Sequence, residues 1–282
     1  MTAIALTSRI DRVDALSLAK KLVSEIIGDI DKLYVDATLK PHMGFEHGKI
    51  EFFNVKNFEN LEVDIAVVIG GDGSILRLLH YFRKKNPPYI FSINMGRYGF
   101  LSEIPPERSI NLLREVIRER SEVEVVYKPR IIGHVGSREL PPVLNDYVIL
   151  APRLKMVHLK LVKVRTRETV YNIYADGIIV SPTSGSTGYS LSAGGPVVDE
   201  DLSAIVATPM NPMQLRARPV VFSIDEELEV EVLDREVEVY SDGFLCCRIA
   251  EGKKIRIKFW DKVGFFREKR QYYDKIMRRD HV

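Results

Sequence analysis

A buried strand that leads directly into a glycine-rich turn and a helix is the feature that most constrains this chain. Residues 65–69 read IAVVI, a continuous apolar run that predicts a strand covered on both faces. The turn 70–73 contains three glycines, and Ser74 is the predicted cap of a helix that must stop near Pro87. Strands and helices that alternate in this way are typical of open, mostly parallel sheets. An α/β domain is therefore expected around this turn.

The same alternation of strand and helix signals extends over the first 120 residues. A short apolar run at 3–6 is followed by apolar residues at helical spacing over 13–27. A strand is predicted at 89–93, and another helix is predicted after Ser109. We therefore predict that residues 1–120 form one domain that carries the glycine turn.

The pattern changes near residue 121 to short strands with turns between them. Valine alternates with glutamate in two of these strands, as expected for half-buried antiparallel strands. We predict a second, β-rich domain over residues 121–254, with a short helix opened by the Ser/Gly-rich stretch 184–192. The predicted strands are 143–150, 157–165, 169–174, 177–181, 219–224, 228–233, 236–241 and 244–249, and the tail returns to a strand at 254–259.

Composition excludes several classes of protein. Apolar residues make up 45% of the 282 residues, which is enough for a sizeable core. The 41 basic and 39 acidic residues leave a net charge of +2, so neither nucleic acid nor an anionic membrane is expected as a partner. No apolar run approaches the roughly 18 residues of a membrane span, and the N-terminus lacks the basic region of a secretory signal. Adjacent Cys246 and Cys247 rule out a disulfide framework, so a cytoplasmic location is expected.

The turn Gly70-Gly71-Asp72-Gly73-Ser74 is the first candidate site. Glycines let the backbone approach a ligand closely, and the free N–H groups at a helix start attract phosphate. A carboxylate in that place would repel phosphate unless it accepted a proton or held a magnesium ion. The turn matches neither GxGxxG nor GxxxxGK[ST]. The alternative is a tight structural turn in which Asp72 caps the helix.

Two further segments carry closely spaced polar groups. Ala175-Asp176-Gly177 precedes the stretch 181–196, whose hydroxyls and amides suit the edge of a purine and the hydroxyls of a ribose. A flexible linker is the alternative, but the stretch lies between apolar runs and not between domains. Asn145-Asp146 enters a predicted strand, where a turn or an Asx cap is the commoner explanation.

Taken together, these motifs resemble the ATP-NAD kinase family. The resemblance rests on four segments between about residues 62 and 243: GGDGS at 70–74, NMGRYGFL at 94–101, Asn145-Asp146, and ADG at 175–177 followed by SGSTGYSLSAGGP at 184–196. It implies a Rossmann-like N-terminal α/β domain, a C-terminal β-sandwich-like domain and an active site between them. It also implies that the tail 255–282 packs back on the first domain and that the chain forms a homodimer or homotetramer.

The activity implied by the resemblance is phosphoryl transfer to NAD. The donor is ATP, another nucleoside triphosphate or polyphosphate, with Mg²⁺ or another divalent cation, and the acceptor is the 2′-hydroxyl of the adenosine ribose. Asp72 is the expected base, and Gly71, Gly73 and Ser74 are expected to bind the donor phosphates. The expected NAD-binding residues are Asp72, Gly73, Phe100, Asn145, Asp146, Asp176, Thr187, Gly188, Tyr189, Ser192 and Asp242.

Several of these assignments carry alternatives or departures from the family pattern. Asp242 is equally well explained as part of a hairpin turn. Ser74, Asp146 and Gly188 replace the more usual threonine, glutamate and alanine, and Met213 lies where bacterial relatives often have histidine. These differences suggest an archaeal or otherwise divergent branch of the family.

Two other functions remain as alternatives. A related GGDG kinase for a lipid or sugar predicts an apolar acceptor cleft and no adenine pocket. A dinucleotide-binding module without catalysis would fit a chain that had lost Asp72, which is present here. The six histidines have no metal-ligand spacing. The tail ends in a basic amphipathic segment at 267–277, and residues 269–279 are interpreted as a solvated helix face.

Overall fold

The structure is a computed structural model that describes residues 2–44, 46–96, 99–118, 123–268 and 273, with only the backbone of residue 154. The described helices are α1 (Val13–Ile26), α2 (Lys40–Met43), α3 (Asp72–His80), α4 (Pro106–Ile117) and α5 (Tyr189–Ser192). The described strands are β1 (Ala3–Ser8), β2 (Lys32–Asp36), β3 (Ile50–Phe53), β4 (Ile65–Gly70), β5 (Tyr89–Asn94), β6 (Glu124–Val135), β7 (Arg138–Glu139), β8 (Tyr147–Leu150), β9 (Val157–Lys163), β10 (Thr169–Ala175), β11 (Gly177–Pro182), β12 (Ala204–Met210), β13 (Val220–Ser223), β14 (Leu228–Val232), β15 (Val237–Ser241), β16 (Phe244–Ile249) and β17 (Lys254–Arg267). Short 3₁₀ turns cover Ala37–Leu39, Val55–Asn60, Pro152–Leu154 and Thr183–Thr187.

The chain divides into two compact units. The first comprises Met1–Tyr127 with Val263–Val282, and the second comprises Lys128–Lys262. The divisions fall inside strands β6 and β17. The domain boundaries expected from the sequence pattern instead follow residues 120 and 254. The periodicity of a sequence changes where a strand begins, whereas a unit boundary lies where the packing partners of a strand change.

The first unit is built on a parallel sheet with the strand order β3-β2-β1-β4-β5. The predicted strand at 65–69 is confirmed as β4, which is buried along its whole length between β1 and β5. The order reverses between β1 and β4, and ligands of such sheets bind at the carboxyl ends of the strands at that reversal. The turn after β4 therefore lies at the position where this architecture places a ligand.

Helix α1 covers this sheet with one apolar face. Its buried residues recur at intervals of three and four positions, which places them on one stripe of the helix. They join side chains of the parallel strands in a single core cluster. The buried residues of α1 are Ala15, Ala19, Leu22, Val23 and Ile26.

The ends of two predicted helices differ from the prediction. Helix α3 has Gly71 as its N-cap and begins at Asp72, so Ser74 lies inside the helix and does not cap it. It ends at His80, well before Pro87. Helix α4 begins at Pro106 rather than after Ser109, because proline is well suited to the first turn of a helix.

The second unit contains two antiparallel sheets that enclose one core. One sheet has the order β13-β12-β11-β8-β15-β16, and the other joins β10, β9, β14 and the first part of β17. Buried residues of both sheets, such as Ile178 and Leu161, belong to the same cluster. The predicted C-terminal β-sandwich-like architecture is thereby confirmed. The short helix predicted in 184–192 is present as a 3₁₀ turn followed by α5.

The tail continues as a strand for longer than its pattern indicated. The strand predicted at 254–259 extends to Arg267, and Phe265 pairs with Ile90 in the first unit. The basic segment predicted at 267–277 lies outside the described residues except for 267, 268 and 273. Among the described residues, no helix is both long and apolar enough to cross a membrane.

Candidate functional site

Asp72 connects the glycine turn to the segment that follows β5. Its Oδ2 accepts a hydrogen bond from the backbone N–H of Phe100 at 2.9 Å, and its Oδ1 accepts from Leu101 at 3.1 Å and Ser102 at 3.0 Å. The alternative of a capping aspartate is wrong, since Gly71 is the N-cap and no side chain caps this helix. The structure thus brings Asp72 and Phe100 together. Arg97 and Tyr98 of the same motif lie outside the described residues.

The three glycines of the turn have different physical roles. A Cβ at Gly70 would lie 2.3 Å from Ser74 Oγ, so Gly70 is required by the fold itself. A Cβ at Gly71 or Gly73 would meet nothing within 4 Å, and neither residue has a left-handed φ. Protein packing therefore explains Gly70 only. Close approach of a ligand to the bare backbone explains Gly71 and Gly73.

A cavity of about 370 Å³ opens beside these two glycines, at the carboxyl ends of β1, β2 and β4. Two arginines line it, and sequence reasoning named neither of them. The one available signal was the spacing of Arg77, which follows Gly73 by one helical turn and so shares its helix face. The lining residues are Ser8, Arg9, Ile10, Asp11, Thr38, Gly71, Gly73, Ser74 and Arg77.

In the second unit, Asp242 holds the Asn145-Asp146 bend. Its carboxylate accepts hydrogen bonds from the consecutive backbone N–H groups of Leu144 at 2.9 Å, Asn145 at 2.7 Å and Asp146 at 3.0 Å. The backbone N–H of Asp242 donates in return to the carbonyl of Asp146 at 3.0 Å. Asp242 and Gly243 both have positive φ between β15 and β16, so the hairpin-turn interpretation is also correct.

Asp146 and Asp242 are both buried, and the charge of Asp242 acts on the carboxyl group of Asp146. Burial and the nearby charge of Asp242 raise the pKa of Asp146 to about 7. Burial also raises the pKa of Asp242 to about 6, although its hydrogen bonds from the three backbone N–H groups act in the opposite direction. The folded protein therefore retains protons on this pair at a pH where exposed aspartates have lost them.

The glycines of the Ser/Gly-rich stretch make room for Asn145. A Cβ at Gly185 would lie 1.7 Å from the carbonyl oxygen of Asn145, and one at Gly188 would lie 3.0 Å from its Nδ2. The Oγ of Ser184 donates to the carbonyl of Leu144. The structure thus brings the Ser/Gly-rich stretch and Asn145-Asp146 together around Asn145.

The remaining predicted residues of this stretch differ in exposure. Thr187 is buried, Gly188 is half-buried, Ser192 is exposed, and Tyr189 presents 48% of its surface to solvent. An aromatic ring left this exposed beside hydroxyls and backbone amides is a suitable face for a planar base. Thr187 ends the 3₁₀ turn, Gly188 is the N-cap of α5, and Tyr189 and Ser192 are the first and last residues of α5.

Asp176 belongs to a different set of contacts. Its Oδ2 accepts a hydrogen bond from Asn211 Nδ2 at 2.8 Å, and its backbone pairs with Met210 and Ala151. Met213 follows nearby, with 66% of its surface exposed and its backbone N–H bonded to Tyr174. The described contacts do not join Asp176 to the Asn145 bend.

Among the described residues, the lining of the cavity includes one carboxylate and neither histidine nor cysteine. Within the described parts of the chain, no three His, Cys, Asp or Glu side chains are grouped so that they could hold a metal. Asp11 is the single carboxylate that lines the cavity, and its side chain is 61% exposed. Mg²⁺ is often held by one or two carboxylates together with substrate phosphates. The residues therefore fit a cation that is carried by a phosphate donor.

Comparison with protein families gives matches over most of the chain. Residues 8–121 match the ATP-NAD kinase N-terminal domain, and residues 144–261 match the ATP-NAD kinase C-terminal domain. An NAD kinase of Thermococcus sibiricus is 36% identical over 96% of this chain and 95% of its own length. An NAD kinase of Pyrococcus abyssi is 34% identical over 97% of both chains.

Two solved structures have the same fold. The crystal structure of an NAD kinase from Archaeoglobus fulgidus in complex with ATP has a TM-score of 0.75 and 26% identity, with complete coverage of both chains. A yeast NADH kinase complexed with NADH has a TM-score of 0.88 over 98% of this chain and 86% of its own, at 19% identity. At that identity, the yeast structure establishes similarity of fold.

Proposed function

The chain belongs to the ATP-NAD kinase family, and we propose on that premise that it transfers the terminal phosphoryl group of ATP to NAD, giving NADP. The acceptor atom is the 2′-hydroxyl of the adenosine ribose. The observation that carries the proposal is the glycine turn, where Gly71 and Gly73 leave the backbone open beside an aspartate. No packing requirement explains those glycines, whereas a phosphate donor does.

Asp72 is the proposed base. A carboxylate has about four acceptor positions, and hydrogen bonds to the segment after β5 occupy three of them, two on Oδ1 and one on Oδ2. The acceptor position left on Oδ2 can accept a hydrogen bond from the 2′-hydroxyl of NAD. The proton moves to this oxygen as the hydroxyl oxygen bonds to the terminal phosphorus. The bond from that phosphorus to its bridging oxygen breaks, and ADP leaves.

Gly71, Gly73 and Ser74 are proposed to bind the donor phosphates. Their place at the start of α3 supplies backbone N–H groups and the positive end of the helix dipole. Mg²⁺, or another divalent cation, is proposed to arrive with the donor as part of the substrate, where it neutralises phosphate charge. ATP, another nucleoside triphosphate or polyphosphate would all satisfy a site that contacts phosphate alone.

The second unit is proposed to bind NAD. Asn145 and Asp146 would hold ribose hydroxyls on a bend fixed by Asp242, which then acts through that bend and need not touch NAD itself. Phe100 is proposed to pack on the nucleoside and Asp176 to meet the nicotinamide end. The proposed adenine pocket comprises Thr187, Gly188, Tyr189 and Ser192.

The assembly and location of the protein complete the proposal. A homodimer or homotetramer is proposed from the family, and a mass measured by light scattering after size exclusion decides between them. A cytoplasmic location is proposed on the two adjacent cysteines, Cys246 and Cys247, which favour a reducing compartment. The near-neutral net charge of +2 supports the proposal that neither nucleic acid nor a membrane is a partner.

One assay separates this function from its alternatives. Purified protein is incubated with NAD, ATP and Mg²⁺, and NADP is measured with an NADP-specific dehydrogenase. Formation of NADP supports the proposal. NAD binding without NADP from any donor would instead favour a non-catalytic binding module, and ADP release with a lipid or sugar alone would favour a related kinase.

A further inference from the structure

Two arginines lie in the cavity beside the glycine turn, outside every motif of the proposed site. Arg77 is on α3, one turn after Gly73 and Ser74, so it lies on the same face of the helix. Helical side chains lean toward the helix N-terminus, and this directs Arg77 to the end of α3 where the free N–H groups are. Arg9 follows β1 at the opposite side of the strand-order reversal.

A buried carboxylate lies behind Arg77. Asp36, at the end of β2, is 1% exposed. Its Oδ1 accepts from the backbone N–H of Thr38 at 3.0 Å and from its hydroxyl at 2.9 Å, and its Oδ2 accepts from Thr7 Oγ1 at 3.0 Å and Arg77 Nη2 at 3.5 Å. All four acceptor positions of Asp36 are therefore used, and the carboxylate is fixed from three sides.

Arg77 is anchored but mostly unused. The contact with Asp36 is the single hydrogen bond of its guanidinium within the described part of the chain, and 43% of its side chain is exposed. A guanidinium has five N–H donors, so most donors of Arg77 have no acceptor among the described residues, and its side chain lines the cavity. Arg9 differs, because its Nε and Nη2 both bind the carboxylate of Asp11.

The charges at the cavity favour binding of a ligand by directed hydrogen bonds over binding by long-range electrostatic attraction. Each arginine has one aspartate beside it, so the four side chains nearly cancel in net charge. Two features can still bind an anion: the N-terminus of α3 and the guanidinium of Arg77. The planar, paired N–H groups of the guanidinium match the geometry of phosphate oxygens. Apart from Ile10, every lining residue is polar, charged or glycine, which suits a phosphate chain and not a base.

Resting on the proposed function, we propose that Arg77 binds the phosphate chain of the donor and that Asp36 is the residue that positions it. Arg77 lines the cavity together with Gly71, Gly73 and Ser74. Asp36 never meets the donor, and it acts only by restraining the guanidinium.

The test compares steady-state kinetics of Arg77→Met with those of the wild type. The Michaelis constant for ATP should rise about tenfold or more, since a hydrogen bond to a charged group is lost. The Michaelis constant for NAD should stay within about twofold of the wild-type value. Arg77→Lys keeps the charge but loses the planar set of N–H donors. Its Michaelis constant for ATP should therefore lie between those of the wild type and Arg77→Met. Arg118→Met is the matched control, because Arg118 is a half-exposed arginine that pairs with Asp29 in the same unit, outside the cavity.

A double variant tests the positioning role of Asp36. Asp36→Asn alone should raise the ATP constant several-fold. Added to Arg77→Met, it should raise that constant no further, because Asp36 acts through the side chain already removed. Should Asp36→Asn fail to fold, Thr7→Val loosens the same carboxylate, and the same non-additivity is expected.

Calorimetric titration with tripolyphosphate, without NAD, gives a readout independent of turnover. Wild-type protein and Arg118→Met should bind it alike, and Arg77→Met should bind it about tenfold more weakly. An ATP constant and a tripolyphosphate affinity within twofold of wild type in Arg77→Met would overturn the proposal. So would an equal rise in both Michaelis constants. Wild-type protein that binds tripolyphosphate through Arg77 and makes no NADP would refute the proposed function and leave the binding role intact.

Discussion

At the residue scale, two aspartates in different units make the same kind of contact with the backbone. Asp72 accepts hydrogen bonds from the three consecutive N–H groups of residues 100–102, and Asp242 accepts them from residues 144–146. The sequence motif located both residues. It could not predict these partners, because each lies 28 or more positions away along the chain.

Gly73→Ala should separate stability from activity. The added Cβ meets open space within the protein, and alanine favours a helix by up to about 1 kcal/mol over glycine. Unfolding in urea should therefore show equal or higher stability. The Michaelis constant for ATP should rise about tenfold, because the methyl group occupies the space where phosphate approaches the backbone.

Gly28→Ala is the control for this change. Gly28 also has open space around its missing Cβ and lies outside the cavity. That variant should keep wild-type kinetics. Unchanged kinetics in Gly73→Ala as well would show that no ligand approaches the turn.

Asp242→Asn should weaken NAD binding selectively. An amide presents one acceptor oxygen where the carboxylate presents two, so the three N–H groups of the bend lose a partner. The Michaelis constant for NAD should rise about tenfold and that for ATP should stay within about twofold. Asp234→Asn is the control, because Asp234 accepts one backbone N–H, that of His158, in the same unit. Equal effects of the two variants would remove the special role of the bend.

The pair Asp146 and Asp242 should make stability depend on pH. Their pKa values are raised to about 7 and about 6, from an ordinary value of 3.8. Between about pH 4 and 7 the folded protein thus binds more protons than the unfolded chain, so this pair lowers stability as the pH rises. Urea unfolding across this range should show a shallower decline in Asp146→Asn. The same slope in wild type and variant would contradict the pKa values.

At the element scale, the sequence predicted strands better than it predicted their ends. Continuous apolar runs such as β4 were identified, whereas β2, β3 and β12 were not predicted as strands. β2 reads KLYVD and β3 has four residues, so neither gives a clear period of two. The pairing of β2 with β1, and of β3 with β2, supplies the order that the local sequence lacks.

A buried ion pair joins two strands of the second unit. Arg130 in β6 is 0% exposed and binds Asp261 in β17 through Nε at 2.8 Å and Nη2 at 2.7 Å. Asp261→Asn should destabilise the protein by about 3–5 kcal/mol, because it removes one charge of a buried ion pair. The single tryptophan, Trp260, precedes Asp261 in β17, so its fluorescence follows urea unfolding at this strand.

A surface pair provides the comparison. Lys32 and Glu51 are bonded at 2.8 Å with 44% and 58% of their side chains exposed. Glu51→Gln should cost no more than about 1 kcal/mol. A loss of that size in Asp261→Asn too would mean that the buried pair contributes little.

At the scale of the whole molecule, the two architectures followed from patterning and the function from motifs. The α/β rhythm and the later alternation of valine and glutamate gave the class of each unit. The cavity arginines escaped prediction because β1, β2 and α3 meet only in the folded sheet. A motif names residues that are close in sequence, and Arg9, Asp36 and Arg77 are close only in space.

The central claim is that the carboxylate of Asp72 accepts the proton of the NAD 2′-hydroxyl. The direct measurement is turnover of Asp72→Asn with saturating ATP and Mg²⁺, together with the dissociation constant of NAD. We expect kcat to fall about hundredfold or more, the usual contribution of a positioned base, and NAD affinity to stay within a few-fold of wild type. Wild-type turnover in this variant would contradict it.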